Sequence, residues 1–445
     1  MKAERLHIIM SYLKTKVFNK WSNRKALERW QENRLLRHLK AVRERSPFYR
    51  ELWGDRPLSG WKEFPIIDKA IMMEHFNRLN TAGIRKEEAI ELALRAEETR
   101  EFTPMIGSTT VGLSSGTSGN RGLFLVSEKE RLAWAGITLA KVLPQSLLSK
   151  QKIAFFLRAN SNLYGTVSGG SLSFEFYDLL DSVEKHLLRL NEDPPTLLVA
   201  PPSMLRLLAE HRRAGSLLIH PERIVSVAEV LDPLDREWIE ASFQSMVHQV
   251  YQCTEGFLAA TCEHGTLHLN EDLIYIQKEW IDEESRRFVP IITDFTRLTQ
   301  PIIRYRLNDI LVEQEAPCAC GSSFLAIERV EGRCDDLFVL PGAVSGWVHV
   351  FPDFISRTII TASDLIEAYQ AILHTPNRLE ISLLVNNGEQ TYVEQSAREG
   401  IIKLFLRLGC RVPDIQFTSY GFQPSDRKLR RVERRFPLDA SHSII

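Results

Sequence analysis

Thr196-Leu197-Leu198-Val199-Ala200-Pro201-Pro202-Ser203 begins the stretch that decides the fold. Its apolar run, Leu197 to Ala200, leads into a helical segment capped near Ser203. A second run, Ile224-Val225-Ser226-Val227, a helix after Asp232-Pro233, and a third run from Val247 to Tyr251 follow. Strand, helix, strand, helix, strand at this short spacing predicts a parallel sheet wound with helices. Open sheets of this kind bind ligands beyond the carboxyl ends of their strands. Ala228-Glu229 and the segment Tyr251 to Glu255 directly follow two of the runs, so both are expected at a binding site.

Downstream of Thr266 the pattern changes to alternating, antiparallel strands: Leu267 to Gln277, Phe288 to Asp294 and Ile302 to Ile310. A boundary is expected at Gly332-Arg333-Cys334-Asp335-Asp336. Beyond it, a helix around Ser363 to Leu373, a strand Leu379 to Val385, a helix Ser396 to Leu408 and a strand Ile415 to Ser419 describe a small α+β domain. The expected architecture is therefore α/β, with a large N-terminal domain over residues 1–332 and a small C-terminal domain over 333–445. Upstream, Leu27, Trp30, Leu35, Leu39 and Val42 recur at helical spacing between Asn23 and Arg45, and Ser46-Pro47 ends that helix. There is no internal repeat and no low-complexity segment.

A chain of 445 residues, 44% hydrophobic and 25% charged, is long enough for two cores, and 56 basic against 57 acidic residues leave a net charge of -1. Nothing in that balance draws the chain to nucleic acid or to an anionic membrane. No apolar run approaches a membrane span, and Leu6-His7-Ile8-Ile9-Met10 is too short and interrupted for a signal peptide, so a cytoplasmic location is expected. Six cysteines spread over this length fit thiols or metal ligands better than a disulfide framework.

The segment with the most chemistry is Ser114-Ser115-Gly116-Thr117-Ser118-Gly119-Asn120-Arg121-Gly122, set between the strands Thr109 to Leu113 and Leu123 to Val126. A helix with a capping box, Ser127 to Glu130, comes next. Glycines let backbone N–H groups approach an anion, and the hydroxyls of Ser114, Ser115, Thr117 and Ser118 donate to phosphate oxygens. No Gly-Lys-Ser/Thr opens a helix, so this is not a Walker loop. Taken alone, the segment also fits a plain hairpin loop.

Together with other segments in the same order, the loop resembles the adenylate-forming superfamily, and within it the phenylacetate–CoA ligase and coenzyme F390 synthetase-like branch. Tyr251-Gln252-Cys253-Thr254-Glu255-Gly256, Pro301 to Asp309 with Arg304-Tyr305-Arg306, Glu331 to Asp336, and Lys428-Leu429-Arg430-Arg431-Val432 each match a family segment. So do Ser46 to Tyr49 and Phe64 to Lys69. The resemblance implies a two-domain enzyme that uses ATP and Mg²⁺ to convert a carboxylic acid to an acyl-adenylate. The acyl group then passes to coenzyme A, a carrier-protein thiol or an amine. The same branch also implies two other readings: transfer of AMP to a hydroxyl, or a nucleotide-binding protein that has lost its chemistry.

The resemblance also assigns roles. Ser114 to Gly119 cradle the triphosphate, and Arg121 is the only cation left to that loop, because Asn120-Arg121-Gly122 stands where relatives carry lysine. Tyr251 stacks on adenine beside Ala228 and Glu229, Thr254 donates to the α-phosphate, and Glu255 holds Mg²⁺, a hard cation suited to a carboxylate and phosphates. Asp309 takes the ribose hydroxyls and Arg333 approaches from the hinge, for which Asp335 is the candidate and Asp336 the alternative. Lys428 is the catalytic lysine, whose ammonium stabilises charge gathering on phosphate oxygens as pyrophosphate leaves.

Two cysteine and histidine clusters remain. Cys318-Ala319-Cys320-Gly321 offers two thiolates, and Cys262-Glu263-His264-Gly265-Thr266-Leu267-His268 offers one more with two imidazoles, enough for a tetrahedral structural zinc. The resemblance favours Cys262, His268, Cys318 and Cys320, with Cys253 and His264 as substitutes. Finally, Tyr164, Phe174, Phe176 and Tyr177 around Gly169-Gly170 suggest a pocket for an aromatic or other flat acid.

Overall fold

The computed structural model describes residues 2–101, 103–114, 121–157, 171–386, 388–422 and 428–437. Ser115, Gly116, Thr117, Ser118 and Gly119 of the loop, together with Tyr164, Gly169 and Gly170, lie outside the described residues.

A small antiparallel sheet comes first: β1 (Met105–Ile106), β2 (Thr109–Leu113) and β3 (Leu123–Ser127), paired in that order. Ser127 then caps the helix Glu128–Val142 through the expected box, its N–H donating to Glu130 Oε2 at 2.9 Å. Glu130 has a second use. Its other oxygen accepts from the backbone N–H groups of Leu298 (2.6 Å) and Thr299 (2.8 Å), which ties the start of this helix to the far part of the domain.

The main sheet follows. β4 (Gln151–Leu157), β5 (Leu172–Asp178), β6 (Leu197–Ala200), β7 (Arg223–Ser226) and β8 (Val247–Cys253) are parallel, in the order β5-β4-β6-β7-β8. The three apolar runs are β6, β7 and β8, and the wound parallel sheet is present. β6 is buried along its whole length, as expected for a strand covered on both faces. The helix after β6 starts at Pro202 rather than at a Ser203 cap: prolines at its first positions have φ already suited to a helix and no N–H to satisfy. Asp232 caps the helix Pro233–Phe243, accepting from Leu234 N at 2.9 Å.

Past β8 the chain turns back. β9 (Gly256–Thr261), β10 (Leu267–Leu269), β11 (Ile274–Asp282), β12 (Arg287–Asp294), β13 (Ile302–Arg306), β14 (Asp309–Glu313) and β15 (Ala326–Arg333) extend the sheet in antiparallel pairs. Two expected strands are each divided. Leu267 to Gln277 breaks at Asn270, whose side chain donates to Phe257 O at 3.0 Å, and Ile302 to Ile310 breaks at Leu307-Asn308.

After a single turn at Cys334–Asp336, the last part of the chain has its own hydrophobic cluster, drawn from residues between Phe338 and Val432. It contains β16 (Phe338–Pro341), β17 (Trp347–Val350), β18 (Ile366–Thr375), β19 (Arg378–Val385), β20 (Asp414–Ser419) and β21 (Val432–Arg434), with helices Pro352–Ile360 and Gln390–Arg407. The helix expected around Ser363 to Leu373 is instead β18, and the helix lies earlier. β18 is an inner strand of the sheet β20-β19-β18-β21 and is buried over most of its length. The alternation that marks a half-buried strand is therefore missing from its sequence. Among the described residues no helix is long and apolar enough to cross a membrane.

Candidate active site

Six of the residues singled out from sequence line one cavity of about 960 Å³: Ser114, Arg121, Ala228, Glu229, Thr254 and Lys428. The topology accounts for this. Ala228-Glu229 and Thr254 follow β7 and β8 at the carboxyl edge of the parallel strands, while Lys428 comes from the small C-terminal unit. Ala228 takes φ 69°, a left-handed conformation that is uncommon for a residue with a Cβ and that concentrates at functional turns. That turn aims the carboxylate of Glu229 across the gap, where it accepts from Leu429 N at 3.1 Å and Ser203 N at 3.3 Å. One buried carboxylate thus joins the segment carrying Lys428 to the large sheet. Burial pushes the Glu229 carboxyl up, and the hydrogen bonds from Ser203 and Leu429 and the charge of Lys428 pull it back.

Beside this cavity stands a second group. Tyr251 Oη donates to Asp309 Oδ2 at 2.5 Å, and Arg333 Nε lies 4.0 Å from Asp309 Oδ1. Burial raises the Asp309 carboxyl, against the Tyr251 hydrogen bond and the charges of Arg333 and Lys428. Glu255 accepts from Tyr305 Oη and from Thr254 Oγ1, each at 2.9 Å. Arg297 holds the backbone of this turn, donating to Thr254 O at 2.5 Å and to Leu125 O at 3.1 Å. Asp335 accepts from the Asn308 side chain at 2.6 Å, and the buried Asp336 pairs with Arg430.

Two expectations change. Arg121 does not lend its charge freely to the loop: its guanidinium forms a two-pronged pair with Glu97 and donates to Ser114 O at 3.0 Å. The cation that reaches the loop's first hydroxyl is Lys69, whose Nζ lies 3.5 Å from Ser114 Oγ and feels the charge of Glu255. Lys69 sits in the Phe64 to Lys69 segment, to which sequence reasoning attached no role. Tyr177, expected at a pocket, is fully buried and stacks on Phe156 in a different core cluster, whereas Phe174 does line the cavity.

The four expected metal ligands converge. Ligand atoms of Cys262, His268, Cys318 and Cys320 all lie within 4.8 Å of one another. Cys262 Sγ is 3.7 Å from Cys318 Sγ, close to the edge of about 3.8 Å that a tetrahedron with bonds of about 2.3 Å requires. Cys320 Sγ is 3.3 Å from His268 Nε2, and His268 Nδ1 is 3.2 Å from Phe324 O, which fixes the tautomer that leaves Nε2 free to coordinate. Burial opposes ionisation at Cys318, but hydrogen bonds from Thr266, Cys320 and His268 bring its thiol down to about 6; burial and the neighbouring thiols push Cys320 up to about 12.

Parallel strands wound with helices, an antiparallel extension and a small α+β unit make up a fold that is shared with solved acid ligases. No family model matches the chain. It is 22% identical over 406 residues to a phenylacetate-coenzyme A ligase of Thermus thermophilus, an alignment covering 83% of this chain and 84% of that protein. Among solved structures, a 2-hydroxyisobutyryl-CoA ligase in its postadenylation state matches with a TM-score of 0.66 at 16% identity, over 92% of this chain and 89% of that one. An acyl acid amido synthetase matches with a TM-score of 0.57 at 12% identity, over 93% and 92% of the two chains.

Proposed function

We propose that this protein adenylates a carboxylic acid with ATP and passes the acyl group to a thiol of coenzyme A or a carrier protein, or to an amine. The observation that carries this reading is the hydrogen bond from Leu429 N to Glu229 at 3.1 Å, which ties the segment of Lys428 to a cavity that Lys428, Thr254 and Ser114 all line. In-line attack of a carboxylate on the α-phosphorus builds charge on the phosphate oxygens, and an ammonium in that cavity, screened from bulk water, stabilises it. Thr254 presents a hydroxyl to the same space. Tyr251, Asp309 and Arg333 bind the nucleoside half. Glu255, with both oxygens already oriented by Tyr305 and Thr254, is the carboxylate fit to hold Mg²⁺ with the phosphates. The division of labour follows the chain: residues 1–332 supply most contacts to nucleotide and acid, and 333–445 bring Arg333 and the lysine, with Asp335 at the junction.

Cys262, His268, Cys318 and Cys320 hold a structural zinc in this reading, well away from Lys428 in sequence and supplied by two loops and β10 rather than by the cavity. A reducing cytoplasm keeps those thiols available.

Acid-dependent ATP–pyrophosphate exchange tests the proposal. The wild-type protein should exchange, and Lys428→Ala should lose about a hundredfold or more while ATP still binds in a calorimeter. Exchange that survives in Lys428→Ala would sink the assignment of the lysine. Mass spectrometry of products with coenzyme A then separates a thioester from an AMP ester.

A further inference from the structure

We infer that the acid is a linear aliphatic one, with a chain of roughly ten carbons, rather than a flat aromatic. This rests on the adenylation reading above and adds its substrate class.

The cavity does not stop at the strand ends. It continues between the helix Glu128–Val142 and the parallel strands, which run in opposite directions: Arg223, the first residue of β7, donates to Val142 O, near the last turn of the helix, at 3.2 Å. Below Trp134 the helix side offers Ile137, Leu139 and Leu143, and the strands offer Ile153, Leu197 and Val225. These six are aliphatic, and Phe174, level with Ile153, and Phe155, level with Val199, complete an apolar wall. None of the charged lining residues, Glu229 and Lys428 among them, belongs to this group.

Depth follows from register. Pro201 and Leu197 both line the cavity, four residues apart along β6 and its exit, which is about 13 Å of strand. An extended alkyl chain built from bonds of about 1.5 Å advances roughly 1.25 Å per carbon, so this depth takes about ten. A single aromatic ring would reach less than half of it and leave an unfilled apolar end, which loses dispersion contacts. Beside this wall the Thr138 hydroxyl is buried with no hydrogen-bond partner among the described residues, and an alkyl chain asks nothing of it.

Each methylene removed from water into such a channel is worth roughly fourfold in affinity. With the intact protein, pyrophosphate exchange driven by straight-chain acids from butyrate to hexadecanoate should therefore rise in kcat/KM by up to about fourfold per carbon, peak near decanoate, and exceed that with phenylacetate. Val225→Phe, which fills the lower channel, should lower the decanoate-to-butyrate ratio of kcat/KM about tenfold or more; Leu139→Phe gives the same test should the first variant not fold. A profile flat with chain length, or one highest for phenylacetate, overturns the inference and leaves adenylation standing. Should no acid support exchange, adenylation itself fails. Calorimetric binding of decanoate, weakened in Val225→Phe, would still establish the channel, and absence of binding would refute it.

Discussion

Lys69 and Arg121 show how a binding role moves between residues when one of them is engaged elsewhere. Arg121 is held by Glu97, so its substitution should chiefly loosen the loop, whereas Lys69 points at the loop's first hydroxyl. Lys69→Ala should raise the KM for ATP about tenfold, the scale of one charge-assisted hydrogen bond, with little change in the KM for the acid. Steady-state kinetics in the two substrates measures the split. Lys69 was within view in sequence, but nothing local connects it to a serine 45 positions away. Motif residues such as Thr254 and Lys428 were legible because their neighbours were recognisable as a pattern; Lys69 needed the fold. A second residue sets a pH response. Burial, with Arg223 and Arg236 nearby, lowers the His248 pKa to about 4, and its Nδ1 lies 3.0 Å from Thr261 Oγ1. Unfolded histidine titrates near 6.5, so between about pH 6.5 and 4 the unfolded chain binds a proton that the native state refuses. Its contribution is present above 6.5 and is lost as pH falls through that window. Asp294 and Glu229, raised by burial, act with the opposite sign, so the comparison has to be made between variants. His248→Gln, which keeps a partner for Thr261, should flatten the fall in urea midpoint between pH 6.5 and 4.

At the scale of elements, close approach matters as much as propensity. Gly136 lies in the helix Glu128–Val142, and a Cβ there would stand 2.3 Å from Ile8 O in the N-terminal helix that crosses it. Alanine is the better helix former by about 1 kcal/mol, yet the clash is with backbone and cannot be relieved by a rotamer. Gly136→Ala should therefore destabilise by about 1–3 kcal/mol, measured as a lower urea midpoint. A channel wall made by this helix would feel the shift as well. The loop bearing Cys318 and Cys320, between β14 and β15, is a different kind of element, since in the proposed reading a bound zinc rather than a core would set its course. Cys318→Ser should reduce bound zinc, measured by plasma emission, from about one ion per chain to a small fraction. It should also lower the melting temperature, and Cys253→Ser should do neither. Sequence reasoning read the parallel strands from their continuous apolar runs, and it named the four side chains that come together here. It misread β18 as a helix for the same physical reason that it found β6: an inner strand loses its alternation, and a largely apolar run of ten residues fits a buried helix as well as a strand, even with Ser363-Asp364 and Pro376-Asn377 on either side of it.

The whole molecule is held in its present arrangement by a buried cluster that no motif announced. Asp235, on the first turn of the helix Pro233–Phe243, accepts twice from Arg431 Nη2 at 2.6 Å and once from Arg206 at 3.2 Å. Asp232, the cap of the same helix, accepts from Tyr369 Oη at 2.6 Å, and Arg431 Nη1 donates to Tyr369 O at 2.8 Å. Asp232, Asp235 and Arg206 belong to the large sheet's domain, while Tyr369 and Arg431 belong to the small one, so the cluster spans their interface. Arg431 is three residues from Lys428. What seats the arginine also helps to seat Leu429, whose N–H donates to Glu229 at 3.1 Å, and with it the segment carrying Lys428. Removing one member of a buried ion pair strands the other, at a cost of about 3–5 kcal/mol, whereas removing both together is far milder. Arg431→Met should thus weaken the docked arrangement and cut pyrophosphate exchange, even though Arg431 does not line the cavity. ATP binding should stay close to wild type, because Tyr251, Thr254, Glu255 and Asp309 all lie in the large domain. Limited proteolysis at residues 332–337 should become faster as the two units separate. Adding Asp235→Asn to Arg431→Met should recover part of the lost exchange, since the uncompensated carboxylate is then gone. If the double variant is as impaired as the sum of the singles, the two side chains act independently, and the cluster is packing rather than a latch.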